Sequence, residues 1–154
     1  MINIVLYEPE IPPNTGNLIR LAANAGLFLH LIKPLGFDLD DKRMRRAGLD
    51  YHDYAALEVH NNWKAFVKKY SLDRAYGIST KGNRYYHQTK FLKGDFIIFG
   101  PESRGLPDSV RNELSNERLL RIPMAKTSRS LNLSNAAAIV AYEAWRQIDF
   151  EGGI

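Results

Sequence analysis

The chain has 154 residues, 45% hydrophobic and 25% charged, with a net charge of +4 and no cysteine. That length supports one domain with a real core, and the composition is that of a folded chain rather than a disordered one. Missing cysteines exclude disulfides, thiolate metal sites and thiol nucleophiles, and apolar runs such as 96–99 and 136–142 fall far short of the roughly 20 residues of a membrane-spanning helix.

Strand-like apolar runs alternate with helix-periodic runs along the whole chain, the pattern of an α/β fold with a mostly parallel sheet flanked by helices. Six strands are predicted near 2–7, 28–32, 57–59, 74–79, 95–99 and 118–122. Helices are predicted over 14–25, stopped by Gly26, over 40–47, stopped by Gly48, and over 62–70, 107–114 and 134–148. No repeat or linker interrupts the pattern, so residues 1–154 read as a single domain, with Glu151-Gly152-Gly153-Ile154 as a tail. The opening Met1-Ile2-Asn3-Ile4 has no basic leader or cleavage site, which predicts a cytoplasmic protein with no membrane partner.

The last helix is apolar on nearly every side, from Ala136 through Tyr142 to Trp145 and Ile148, and the first has a similar excess in Leu18, Ile19, Leu21, Ala22 and Ala25. A helix without a polar face must be covered all round, and a chain this short has little material for that. The two helices are therefore expected to form a self-association surface.

Open α/β sheets bind ligands at the carboxyl ends of their strands, which directs attention to three unusual segments. The first is Pro12-Pro13-Asn14-Thr15-Gly16-Asn17-Leu18-Ile19-Arg20, in which Asn14 or Thr15 is expected to cap the helix and Asn17 and Arg20 share a face. On local pattern alone Arg20 also fits a solvated ion-pair residue. The second, Phe99-Gly100-Pro101-Glu102-Ser103-Arg104-Gly105-Leu106-Pro107, sets two glycines and two prolines around an acid and a base, the makings of a rigid loop that a ligand approaches closely. The third runs from Ile122-Pro123-Met124 through Lys126-Thr127-Ser128-Arg129-Ser130 to Leu131-Asn132-Leu133-Ser134-Asn135. It is dense in hydroxyls and amides and longer than a simple connection, and Asn132 or Ser134 is expected to cap the last helix.

No G-x-G-x-x-G follows the first strand, and Gly77-Ile78-Ser79-Thr80-Lys81-Gly82 lacks P-loop spacing, which argues against dinucleotide binding and nucleotide hydrolysis. His30, His52, His60 and His87 show no metal-ligand spacing; they read as partly exposed residues, and no metal is expected. The positive charge is a mild pointer to a polyanionic partner.

In order and spacing the three segments resemble the motifs of the SPOUT (SpoU-TrmD) RNA methyltransferases. The matching residues are Asn14-Thr15-Gly16-Asn17 with Arg20, then 99–107, then Ile122-Pro123-Met124 with Ser130-Leu131-Asn132-Leu133-Ser134-Asn135-Ala136. The segments Tyr7-Glu8-Pro9-Glu10-Ile11-Pro12-Pro13 and Asp41-Lys42-Arg43-Met44-Arg45-Arg46-Ala47-Gly48-Leu49-Asp50-Tyr51-His52 further resemble the minimal subgroup acting on the wobble nucleotide of leucine tRNAs.

The resemblance implies a deep C-terminal trefoil knot, an exception to the usual unknotted topology, that binds S-adenosylmethionine. It assigns the donor to main-chain groups around Ile78, Gly100, Ile122, Met124 and Ser130, gives Glu102 the shaping of the pocket, and assigns the reaction to Arg20. It also implies 2'-O-methylation of a wobble cytidine or modified uridine, and a homodimer through the first and last helices. Arg43 and Arg46 on a basic helix, with Arg129, are the expected tRNA contacts. Two other readings fit the same residues: methylation at a different tRNA or ribosomal RNA site, and a non-catalytic RNA-binding module on the same fold.

Overall fold

The computed structural model describes residues 1–40, 42–45, 49 and 51–154. Its strands are β1 (Asn3–Tyr7), β2 (Phe28–Ile32), β3 (Leu57–His60), β4 (Ala75–Ile78), β5 (Arg84–Tyr85), β6 (Phe96–Phe99) and β7 (Leu119–Arg121). Between them lie helices α1 (Pro12–Ala25), α2 (Lys42–Arg45), α3 (Trp63–Lys69) and α4 (Asp108–Arg111), and α5 (Leu133–Gln147) closes the chain. Among the described residues no helix is long and apolar enough to cross a membrane.

All strand pairs are parallel, in the order β3-β2-β1-β6-β4-β7-β5. The chain leaves β1 toward β2 and β3 on one side and leaves β6 toward β7 on the other, so the connections diverge between β1 and β6. That divergence opens a crevice at the carboxyl ends of the strands.

Strand periodicity divides the core into two layers. Ile4 and Leu6, Leu29 and Leu31, and Ile97 and Phe99 pack under α1 and α5, meeting Leu18, Ile19, Ala22, Ala137, Val140, Ala141 and Ala144. Val5, Ile32 and Ile98 point the other way, onto Phe66 of α3 and Leu106, Val110 and Leu114 around α4. Strands covered on both faces are nearly continuous in apolar residues, as the sequence 96–99 (FIIF) shows.

Several elements depart from the sequence expectation. Among the described residues the sheet has seven strands where six were expected: β5 is two residues long and carries no apolar alternation for a sequence reading to find. Helix α4 ends at Arg111 because the next turn tightens, with Glu113 and Leu114 donating to the carbonyls three residues back. Of the expected tail over 151–154, Glu151 is held, the Trp145 indole donating to its carbonyl at 3.1 Å and Lys93 pairing with its carboxylate at 2.5 Å, and the Gly153 amide donates to the Phe150 carbonyl, while Ile154 stays exposed. Helix α5 buries Ala137, Val140, Ala141 and Ala144 but leaves Ile139 38% and Tyr142 46% exposed.

The histidines call for a correction, because His30 and His60 are 1% and 5% exposed. Parallel pairing of β2 with β3 sets His30 opposite Glu58 and Ile32 opposite His60, which brings together residues 30 apart in sequence. His30 Nδ1 lies 3.0 Å from His60 Nε2, and His30 Nε2 lies 3.3 Å from Asn3 Oδ1. The Asn3 amide donates to the Gly94 and Asp95 carbonyls, so its oxygen accepts from His30 Nε2–H and His60 Nε2–H donates to His30 Nδ1. With Glu58 these side chains bring potential ligand atoms within 4.8 Å of one another. Phe28, Phe66, Tyr70 and Phe96 surround His30.

Burial, and then the neighbouring His60, pull the His30 pKa down to about 4 against the opposing pull of Glu58. A histidine held neutral in the fold stabilises it fully above the unfolded value near 6.5, and that contribution disappears as pH falls toward 4. The protein is expected to lose on the order of 3 kcal/mol from this residue over that window. Urea unfolding from pH 7.5 to 4 checks this: the wild type should weaken steeply and His30→Asn should show a shallower slope, and equal slopes would remove the assignment.

Candidate active site

Four strand tips converge on one cleft of about 650 Å³. Ile11 and Asn14 enter it from the segment after β1, residues 99–107 from β6, Ser79, Thr80 and Lys81 from β4, and Ile122, Met124 and residues 129–133 from the long connection after β7. All three segments singled out in the sequence meet here. Ile78, Gly100, Glu102, Ile122, Met124 and Ser130 line the cleft together, and so does Arg129, expected on the RNA side.

Glu102 is the hub. Its carboxylate accepts from the Glu10 amide at 2.7 Å, the Ile11 amide at 3.0 Å and the Asn14 side-chain amide at 3.2 Å. These are amides at the start of α1, where an anion is favoured by the helix dipole and the unpaired N–H groups. The helix begins at Pro12, two residues earlier than expected, because proline suits the first helical position. Neither Asn14 nor Thr15 is its cap. Ile11 stands at the cap position without a side-chain hydrogen bond, and Glu102 from a distant loop does that work.

Asn14 then links this hub to the C-terminal segment, since its oxygen accepts from the Asn132 amide at 2.9 Å. Asn132 also caps α5, accepting from the Ser134 and Asn135 amides at 2.9 and 3.3 Å, as expected. A continuous polar chain, Glu102 to Asn14 to Asn132, thus ties the loops after β6, β1 and β7 into one wall.

A second set of contacts locks the same loop from outside. The Ser103 hydroxyl donates to Glu10 at 2.7 Å and Arg104 pairs with Glu8 at 2.5 Å. Donation from the Ser103 hydroxyl and amide holds the Glu10 carboxyl below its usual range. Gly100 has no room for a side chain: a Cβ there would lie 2.2 Å from the Gly105 carbonyl carbon and the Leu106 nitrogen.

The lining combines apolar side chains, Ile78, Phe99, Ile122, Met124, Leu131 and Leu133, with four cations, Lys81, Arg104, Arg111 and Arg129, against Glu102 and Asp108. Arg111 pairs with Asp108 but keeps a buried Nε without a protein partner. An apolar floor, a cationic rim and an orphaned guanidinium N–H suit a ligand of nucleoside size that carries a carboxylate. S-adenosylmethionine has those features.

Arg20 lies elsewhere. It is exposed on α1 in the same stripe as Asn17 and does not line the cleft. Arg43 is exposed on α2, and Arg46 lies outside the described residues. Sequence reading missed Thr80, Lys81 and Arg111, whereas Arg104 belongs to the second segment it singled out; for Thr80 and Lys81 the signal was the Gly77–Gly82 stretch, set aside for its spacing.

A parallel α/β sheet whose crossing point carries a cleft walled by strand-tip loops defines a small-molecule-binding enzyme of the open-sheet class. The pattern of the SpoU rRNA methylase family matches residues 1–142, and the chain belongs to that family. A tRNA (cytidine(34)-2'-O)-methyltransferase of Saccharophagus degradans is 55% identical over 152 residues, 99% of both chains. A solved structure concerned with the 2-OH methylation of C/U34 on tRNA is 44% identical, with a TM-score of 0.90 over 97% of each chain. The SpoU methyltransferase AviRb from Streptomyces viridochromogenes, solved with AdoMet, shares the fold: TM-score 0.81, 24% identity, 99% of this chain and 58% of that one.

Proposed function

We propose that this chain transfers a methyl group from S-adenosylmethionine to the ribose 2'-hydroxyl of the wobble nucleotide of tRNA, a cytidine or modified uridine at position 34 of leucine tRNAs. One observation carries the reading. The donor residues implied by the family resemblance, Ile78, Gly100, Glu102, Ile122, Met124 and Ser130, all line one cleft. Full-length similarity to a tRNA (cytidine(34)-2'-O)-methyltransferase supports the target.

When bound, the donor supplies a methyl carbon on a sulfonium, open to in-line attack. The chain's own task is to place the sugar and help its hydroxyl lose a proton. Arginine stays protonated, so Arg20 is a poor base. Its planar fork instead clamps the neighbouring phosphate and stabilises the developing alkoxide, and a phosphate oxygen or water takes the proton.

The rest of the proposal follows the same family logic. The chain is one cytoplasmic methyltransferase domain whose C-terminal segment is threaded as a deep trefoil knot; support comes from the way Ile122, Met124 and residues 129–133 share a single cleft with the loops after β4 and β6. Two copies associate through α1 and α5, which covers Ile139, Tyr142 and the 44% exposed Phe150. Arg43, Arg46 and Arg129 contact tRNA.

Incubation with AdoMet and leucine tRNA is expected to place a methyl group on the ribose of nucleotide 34. Donor and tRNA binding without transfer would favour the non-catalytic reading, and transfer to another nucleotide the alternative target. Charge reversal of Arg43 should weaken tRNA binding and flatten its salt dependence by about one unit of slope, with donor affinity unchanged by calorimetry. Equal loss of donor affinity would contradict the division between cleft and basic helix.

A further inference from the structure

The stretch between β4 and β6 presents a group that the donor cleft does not use. Lys81 lines the cleft, and four residues later comes Tyr85, on the outermost strand of the sheet. Register pairs Arg84 with Leu120 and Tyr85 with Arg121, one residue before the cleft-lining Ile122. Tyr85 therefore stands at the same carboxyl rim of the sheet as the cleft, on its far flank.

The residue is 42% exposed, and its ring stacks on that of His87, with centroids 5.8 Å apart and planes 15° from parallel. Lys81, Arg84, His87 and Lys90 are exposed around it in sequence. The segment is held firmly. The Gly82 amide donates to the Ser79 carbonyl at 3.0 Å and the Asn83 amide to the Leu119 carbonyl at 3.2 Å. The Tyr85 amide donates to the Gln88 side chain at 3.1 Å, and Arg84 donates to the Gln88 carbonyl at 2.8 Å. Gly82 lies so close to β7 that a Cβ would fall 2.5 Å from the Leu120 carbonyl carbon.

Tyr85 is exposed on a two-residue strand, yet four hydrogen bonds and a glycine contact fix the backbone that carries it. An exposed aromatic with a second ring stacked beside it, in a stretch of chain that also carries exposed cations, has the chemistry that stacks an unpaired nucleobase while the cations meet its phosphates. We propose that Tyr85, backed by His87 and flanked by Lys81 and Arg84, is a stacking site for a nucleobase of single-stranded RNA adjoining the nucleotide that enters the cleft. The site rests on the tRNA methyltransferase reading and adds a substrate contact to it, distinct from the basic helix α2.

The test uses the full-length protein and an anticodon stem-loop carrying 2-aminopurine beside nucleotide 34. Wild type should quench the fluorescence on binding. Tyr85→Ala should lose the quench and raise KM for tRNA by about tenfold, while kcat at saturation and donor affinity stay within about twofold; Tyr85→Trp should restore both the quench and the KM. Because Tyr85 is exposed, unchanged donor affinity also certifies that the variant is folded. Unchanged KM and quench in Tyr85→Ala would overturn the proposal, as would dissociation of that variant into monomers, which would make the rings a contact between copies. Quenching by a wild type that methylates no ribose would sink the function and keep the stacking site, whereas methylation without quenching would do the reverse.

Discussion

Replacing Arg20 by alanine is expected to lower single-turnover methyl transfer at saturating tRNA by about 10²- to 10³-fold, the usual loss when a charge-stabilising donor is removed from a reacting oxygen. Arg20 is exposed on α1 and outside the cleft lining, so donor affinity should be unchanged. Arg20→Lys separates charge from geometry. Lysine keeps the positive charge but loses the planar fork, and the fork is what engages a phosphate and an alkoxide together. It should recover less than about a tenth of the lost rate. Nearly full turnover in the lysine variant, with unchanged RNA affinity, would show that charge alone suffices.

Gly100→Ala is expected to have the largest effect on the donor site. Its methyl group would sit 2.2 Å from two main-chain atoms, the Gly105 carbonyl carbon and the Leu106 nitrogen, neither of which can rotate away. The loop over 100–107 must then shift, and Glu102 shifts with it, away from the Glu10 and Ile11 amides and from Asn14. Donor affinity should fall at least about 100-fold and stability by about 2–4 kcal/mol, the range for overpacking joined to loss of a hydrogen-bond hub. Ser103→Ala is the control. It removes only the side-chain hydrogen bonds to the Glu10 carboxylate and should leave both donor affinity and stability nearly unchanged. Calorimetry with AdoMet and thermal unfolding report the two effects separately, and a Gly100→Ala protein that binds donor normally would refute the role given to this loop.

The strands that bury both faces, β1, β2 and β6, were legible in the sequence because continuous apolar runs bounded by polar turns leave little choice of structure. So was α5, with its cap narrowed to Asn132 or Ser134, of which the structure uses Asn132. What escaped were features created by neighbours distant in the chain. Glu102 caps α1 from 88 residues or more away, so the helix needs no Ser, Thr, Asn or Asp at its own cap, and its true start at Pro12 was hidden. His30 and His60 lack metal-like spacing in sequence, yet parallel pairing of β2 with β3 sets them side by side in a buried hydrogen bond. β5 exists because Gly82 allows close approach to β7, a contact that leaves no trace in hydrophobic periodicity.

The site shows the same division. The loops after β1, β6 and β7 stood out because their glycines, prolines and polar runs serve no packing need, and they line one cleft as expected. The loop after β4 looked ordinary, because Thr80 and Lys81 gain meaning only once β4 is known to lie between β6 and β7. Arg20 shows the limit of grouping by motif: it belongs to the first segment in sequence, yet helical geometry turns it to the solvent side, away from the Asn14 that enters the cleft.

The most direct measurement is nucleoside mass spectrometry of leucine tRNA from cells lacking this protein, complemented with wild type or with Arg20→Ala. Restoration of the 2'-O-methyl group on nucleotide 34 by wild type alone is the predicted result. A tRNA that carries the methyl group equally in all three strains, or that gains it from Arg20→Ala as fully as from wild type, would contradict the account.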